Sequence, residues 1–160
     1  MKIWSKEKNK RIRSELLSAA DGEVFTLEAV PDEAFSSGML GEGYAVRPNE
    51  STIYAPCAGR ISSVSDSLHA YSIESDIGDI LIHIGIDTVT LDGVFEPHVS
   101  AGDVVVAGQI IARADISAIK SAGLDPIIPV VITDKRVSGE IKVLNGAARG
   151  GTDAALYIEN

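Results

Sequence analysis

The chain has 160 residues, 45% apolar and 5% aromatic, with 23 acidic against 14 basic side chains and a net charge of −9. That length suits one domain with a sizeable core, and the acidic balance argues against nucleic acid and for a partner with a basic face. No apolar run approaches the roughly 18 residues of a membrane span and no signal-peptide pattern opens the chain, so a cytoplasmic protein is expected.

Charge is divided unevenly. Residues 1–20 carry Lys2, Lys6, Lys8, Lys10, Arg11 and Arg13 against Glu7 and Glu15, a balance of +4 that leaves −13 for the rest. This segment reads as a basic, solvated leader, with 21–160 as the folded domain. Ile3, Trp4, Ile12, Leu16 and Leu17 among the cations allow a membrane-surface helix as the weaker reading, since their spacing is not cleanly helical.

From Gly22 the pattern is β. Short runs rich in Val, Ile, Thr and Tyr predict strands at 23–28, 44–47, 51–54, 60–64, 70–75, 80–86, 104–106, 110–113, 130–133, 139–143 and 155–158. Gly, Pro, Asn and Asp punctuate them, as in a sandwich or barrel. One helix is predicted over 116–122, with Asp115 as its N-cap and Gly123 as its stop. The stretch from Asn145 to Gly151 reads as a loop. Gly41-Glu42-Gly43 and Gly150-Gly151 lack the lysine and helix start of a phosphate-cradling loop and read as turns. The single cysteine, Cys57, cannot close an internal disulfide and reads as a small turn residue.

The stretch from Leu68 to Val89 carries the chemistry. His69 stands at the mouth of one strand and His83 inside the apolar run of another, where a polar ring needs either a hydrogen bond or a task. Alternation along an extended strand to residue 86 places Leu81, His83, Gly85 and Asp87 on one face and Ile82, Ile84 and Ile86 on the other. A glycine at 85 then leaves a gap where something approaches the backbone.

The run from Gly78 to Val89, with histidine, glycine, aspartate and threonine at fixed spacing, resembles the active-site signature of the glucose-type IIA component (EIIA type 1) of the bacterial phosphoenolpyruvate-dependent sugar phosphotransferase system. Similar segments lie at Ala29–Phe35, Gly41–Pro48, Ile53–Pro56, Gly102–Gly108 and Pro129–Thr133, in the family's order from about Asp21 to Ile158. The resemblance implies an all-β antiparallel sandwich with barrel-like closure, of the barrel-sandwich hybrid type, and one or two short helices. It implies a phosphotransferase component without a cofactor. The phosphoryl group would come from the histidine phosphocarrier protein HPr and pass to the EIIB domain of a sugar permease, which is also the link to the membrane.

Residue roles follow from the same resemblance. His83 is the phosphorylated nucleophile, oriented by the backbone carbonyl of Gly85, and His69 donates to the phosphoryl oxygens. Ser67 matches a threonine that orients His69. Asp32 and Asp87 match acids that meet a basic partner, and Phe35, Met39, Leu40 and Val89 an apolar ring around the site; Phe35 and Leu40 read equally well as ordinary core. Ser65 departs from the family, which commonly has a large apolar residue there, and the Asp92–His98 loop is shortened. His98 reads as an exposed bystander.

The residues alone do not bring the imidazoles together. A hairpin turning around Asp76 to Asp79 places Ile73 beside His83 and leaves His69 roughly 13 Å along the strand, so their pairing is carried by the resemblance. Two other readings stand beside the relay: a regulatory module switched by phosphorylation, and a weak zinc site using His69 and His83, which falls short of zinc's three or four ligands.

Overall fold

The computed structural model describes residues 13–159. Fourteen strands in chain order run β1 Arg13–Leu17, β2 Gly22–Thr26, β3 Glu42–Pro48, β4 Thr52–Tyr54, β5 Gly59–Val64, β6 Ala70–Glu74 and β7 Gly78–His83. They continue as β8 Phe95–Pro97, β9 Val104–Val105, β10 Ile110–Ala114, β11 Ile128–Lys135, β12 Glu140–Val143, β13 Gly146–Ala148 and β14 Ala154–Glu159. Helix α1 spans Glu33–Ser36 and α2 spans Ile116–Ser121. As the sequence predicts, the Asp115 carboxylate caps α2 by accepting from the Ala118 N–H, and Gly123 ends the helical region at φ 79°.

The main sheet has eight antiparallel strands in the order β13-β2-β3-β11-β7-β6-β5-β9, with three-stranded sheets β1-β14-β12 and β4-β10-β8 beside it. The fold is the expected β-sandwich. Its sheets stay open, so the barrel-like part of the expectation is not met by a continuous closed ladder. In the central strand β11, Ile128 to Ile132 are all buried, which is why this strand reads as a continuous apolar run instead of an alternating one. Tyr44, Val46, Val130, Ile80 and Ile82 belong to the large core, while Ala45, Val131, Phe35 and Ile86 form a second cluster.

Three elements depart from the sequence reading. Strand β1 lies in the segment read as leader, pairs with β14, and buries Leu16 completely, so the ordered fold begins at or before Arg13. The basic positions before it lie outside the described residues. β13, read as loop, pairs with β2 through backbone alone, using a Gly-Ala-Ala strand whose small side chains give no periodic signal. β8 arises within the loop Asp92–His98 and pairs with β10.

β6 and β7 form the hairpin that carries the site. Ala70 stands opposite His83, Ile73 opposite Ile80 and Glu74 opposite Asp79. The turn therefore comprises Ser75 to Ile77, and Ala70 stands opposite His83 where the sequence reading put Ile73, a register difference of three residues. Serine 75 sets it: its Oγ donates to the Gly78 carbonyl at 2.7 Å and accepts from the Ile77 and Gly78 N–H groups at 3.2 and 3.3 Å.

Candidate functional site

Two turns at one end of this hairpin build the site. β7 ends at His83, three residues short of the predicted end, because the chain next adopts left-handed backbone at Gly85, φ 78°, and Asp87, φ 61°. Gly85 and Asp87 thus do not extend a strand face. The chain instead folds back so that the Gly85 carbonyl accepts a hydrogen bond from His83 Nδ1 at 2.8 Å. A carbonyl only accepts, so Nδ1 carries the ring proton and Nε2 keeps a free lone pair.

The turn is clamped on both sides. Buried Thr88 donates from Oγ1 to the Ile84 carbonyl at 2.6 Å, and the Ile86 N–H donates to the Asp125 carbonyl at 2.9 Å. The Asp125 carboxylate in turn accepts from the Ile127 N–H and pairs with Arg47, each at 2.9 Å. A Cβ on residue 85 would stand 2.5 Å from the Thr88 methyl and 3.2 Å from the Asp125 carbonyl oxygen. The glycine is required by close packing and a left-handed turn, and not by an open gap.

His69 sits on the second turn. The Ile84 N–H donates to its carbonyl at 2.7 Å, which zips the hairpin one step beyond the Ala70–His83 pair. The two imidazoles therefore meet edge to face, centroids 4.8 Å apart at 83°. The separation expected from the simple hairpin does not occur. Ser65 Oγ, not Ser67, stands within hydrogen-bond distance of His69 Nδ1, at 3.2 Å. Phe35 packs against His83 at 5.3 Å between centroids, and Phe95 against His69 at 6.5 Å.

Burial sets the charge state of both rings. It holds His69 below the ordinary imidazole pKa of about 6.5, and the neighbouring His83 adds to the depression. Burial also lowers His83, against the opposing pull of the Gly85 hydrogen bond and of Asp32 and Asp87. Both shifts favour the neutral rings at neutral pH. Among the described residues no cluster of three His, Cys, Asp or Glu side chains could hold a metal ion. Cys57 is buried and its thiol pushed up, away from nucleophile chemistry.

The sequence pattern of the phosphoenolpyruvate-dependent sugar phosphotransferase system, EIIA 1, matches residues 14–137. The chain belongs to this EIIA family. It is 43% identical over 141 residues to the beta-glucoside-specific EIIBCA component of Dickeya chrysanthemi, covering 87% of this chain but only 22% of that relative's length. It is 34% identical over 155 residues to the glucose-specific EIIA component of Staphylococcus aureus strain Mu50, covering 94% of this chain and 93% of that one. Its fold matches the solved glucose permease IIA from Mycoplasma capricolum with a TM-score of 0.84 at 30% identity, over 91% and 96% of the two chains.

Of the remaining positions singled out from sequence, Asp32 and Asp87 act electrostatically on His83. Asp32 caps α1 by accepting from the Ala34 N–H at 2.9 Å, and Asp87 lies on the His83 turn. Met39 is 76% exposed, Val89 54% and Leu40 37%. Phe35 is buried at 4% and serves as the floor beneath His83, so the exposed apolar positions reduce to the other three. Sequence reasoning missed Thr88, Phe95 and Asp125. Thr88 lay within the recognised signature, whereas Phe95, the first residue of β8, and Asp125, in the loop before β11, gave no signal because both are distant in sequence from the histidines they reach. No helix among the described residues is long and apolar enough to cross a membrane.

Proposed function

We propose that this EIIA chain is a phosphocarrier in sugar uptake, taking a phosphoryl group onto His83 Nε2 from HPr and passing it to the EIIB domain of a sugar permease. The observation that supports this most is the orientation of His83: with its Nδ1 proton on the Gly85 carbonyl, the ring offers Nε2 as its lone pair. That lone pair attacks phosphorus while the N–P bond of the donor histidine breaks. The bonding electrons leave with the donor imidazole. His83 keeps its proton throughout, so no base is needed and the reverse step has the same form. His69, 4.8 Å away between centroids, is placed to donate to a phosphoryl oxygen as negative charge redistributes.

The docking face supports the same reading. Met39, Leu40 and Val89 give an apolar centre, and Asp32 and Asp87 an acidic edge, suited to a partner with a basic rim that must bind and release quickly. An EIIB partner is further supported by the fused EIIBCA relative.

Intact-protein mass spectrometry after incubation with phosphoenolpyruvate, the first enzyme of the system and HPr tests the proposal. The expected result is one acid-labile phosphoryl group, absent in His83→Gln. Absence of any gain in the wild-type chain, with HPr itself phosphorylated, overturns it.

A further inference from the structure

The Ser65–His69 turn brings a single hydroxyl within hydrogen-bond distance of one nitrogen of His69. The Ser65 N–H donates to the Ala70 carbonyl at 2.9 Å, as in a regular antiparallel pair. The reciprocal bond is missing, because the Ser65 carbonyl has turned inward to accept from the Leu68 N–H, also at 2.9 Å. Leu68 closes that turn in left-handed backbone at φ 66°, a conformation an L-residue with a bulky side chain rarely adopts. The Ala70 N–H is left without its ladder partner. It donates instead to Ser65 Oγ at 3.1 Å.

The chemistry of the hydroxyl then follows. Its oxygen is already engaged as an acceptor, and its own proton has His69 Nδ1 within reach at 3.2 Å. A hydroxyl that donates to Nδ1 requires an unprotonated Nδ1, which puts the ring proton on Nε2. Nε2–H is the form in which His69 has a donor left to offer a phosphoryl group, while its other nitrogen is held by the protein.

We propose that Ser65 is the positioning residue of the second histidine in this chain, fixing His69 as the Nε2–H tautomer, and that Ser67 has no part in it. The inference rests on the relay reading. It places the orienting hydroxyl at the position where the family commonly has a large apolar side chain, so this chain differs from its relatives in how the donor histidine is held.

The test uses the full chain with Ser65→Ala, Ser65→Thr and Ser67→Ala. Imidazole ¹⁵N shifts report the tautomer, and the rate at which phosphorylated protein returns its phosphoryl group to excess unphosphorylated HPr reports transfer. Wild type is expected to show His69 as Nε2–H. Ser65→Ala should mix the tautomers and slow return by about tenfold, the scale of a misplaced catalytic group, while still accepting the phosphoryl group on His83. Ser65→Thr, which retains the hydroxyl, should restore both readouts, and Ser67→Ala should match wild type. A wild-type His69 found as Nδ1–H overturns the inference, as does a loss of transfer that follows Ser67→Ala instead of Ser65→Ala. Failure of the relay itself looks different: the wild-type chain then gains no phosphoryl group at all.

Discussion

The two ends of the β6–β7 hairpin solve opposite problems. At the Ser75 end, Arg136 gathers the charge: its guanidinium donates to the Ser75 carbonyl at 3.0 Å and pairs with Asp79 at 2.9 Å and Asp134 at 3.3 Å, all near the surface. At the histidine end, about 13 Å away along the strands, the rings contact one backbone carbonyl, one hydroxyl and two phenylalanines. Solvated charge pairs contribute little and tolerate change. Buried neutral contacts, together with left-handed backbone at Leu68, Gly85 and Asp87, fix ring orientation and proton position. Ring orientation there rests on contacts with neutral groups.

Substitutions at the two ends should therefore differ in kind. The largest effect beyond loss of His83 is expected from His69→Gln, which should accept the phosphoryl group but return it to HPr on the order of 100-fold more slowly, measured by quenched-flow transfer. Equal rates in variant and wild type would remove His69 from the chemistry. Gly85→Ala comes next, since it forces a side chain into left-handed backbone against Thr88. It should cost roughly 1–3 kcal/mol of stability and slow phosphorylation, read from urea unfolding and intact mass. An Ala variant with wild-type behaviour would mean that the turn is not rigid.

A smaller effect separates the ends by pH. Both histidines have folded pKa values held below the unfolded value of about 6.5. In the window below 6.5 the unfolded chain binds protons that the folded one refuses, so stability falls as pH drops through it. Melting temperatures at pH 7 and pH 5 should therefore draw closer in His69→Gln/His83→Gln than in wild type. The smallest effect belongs to Arg136→Ala, which should leave phosphorylation and melting close to wild type. A marked loss of phosphorylation there would couple the two ends and break the contrast.

Much of this was readable from the residues. Alternating Val and Ile with Gly and Pro punctuation located most strands within two or three positions, and Asp115 and Gly123 bounded α2. The signature around His83 pointed, through the resemblance it carries, to the hydrogen bond between that ring and the Gly85 carbonyl. What escaped depended on contacts distant in sequence or on backbone that residue type does not advertise. β1 is stabilised by β14 from the other end of the chain, and β13 by ladder bonds that need no side-chain pattern. The contact between Ser65 Oγ and His69 Nδ1 could not be read without knowing that Leu68 turns left-handed. The imidazole pair was hidden by a three-residue difference in register, at a turn that the Ser75 hydroxyl closes.

That register makes phosphate transfer a report on how the chain has zipped. With side chains alternating between faces, a slip of one residue between β6 and β7 would send His83 to the wrong side of the sheet and break the match of Ala70 to His83. A misaligned molecule would keep most of its strands and still be mute to its phosphoryl donor. In the proposed relay the small turn at Ser75 takes no part in the chemistry, yet its hydrogen bonds favour the alignment that brings the two imidazoles together.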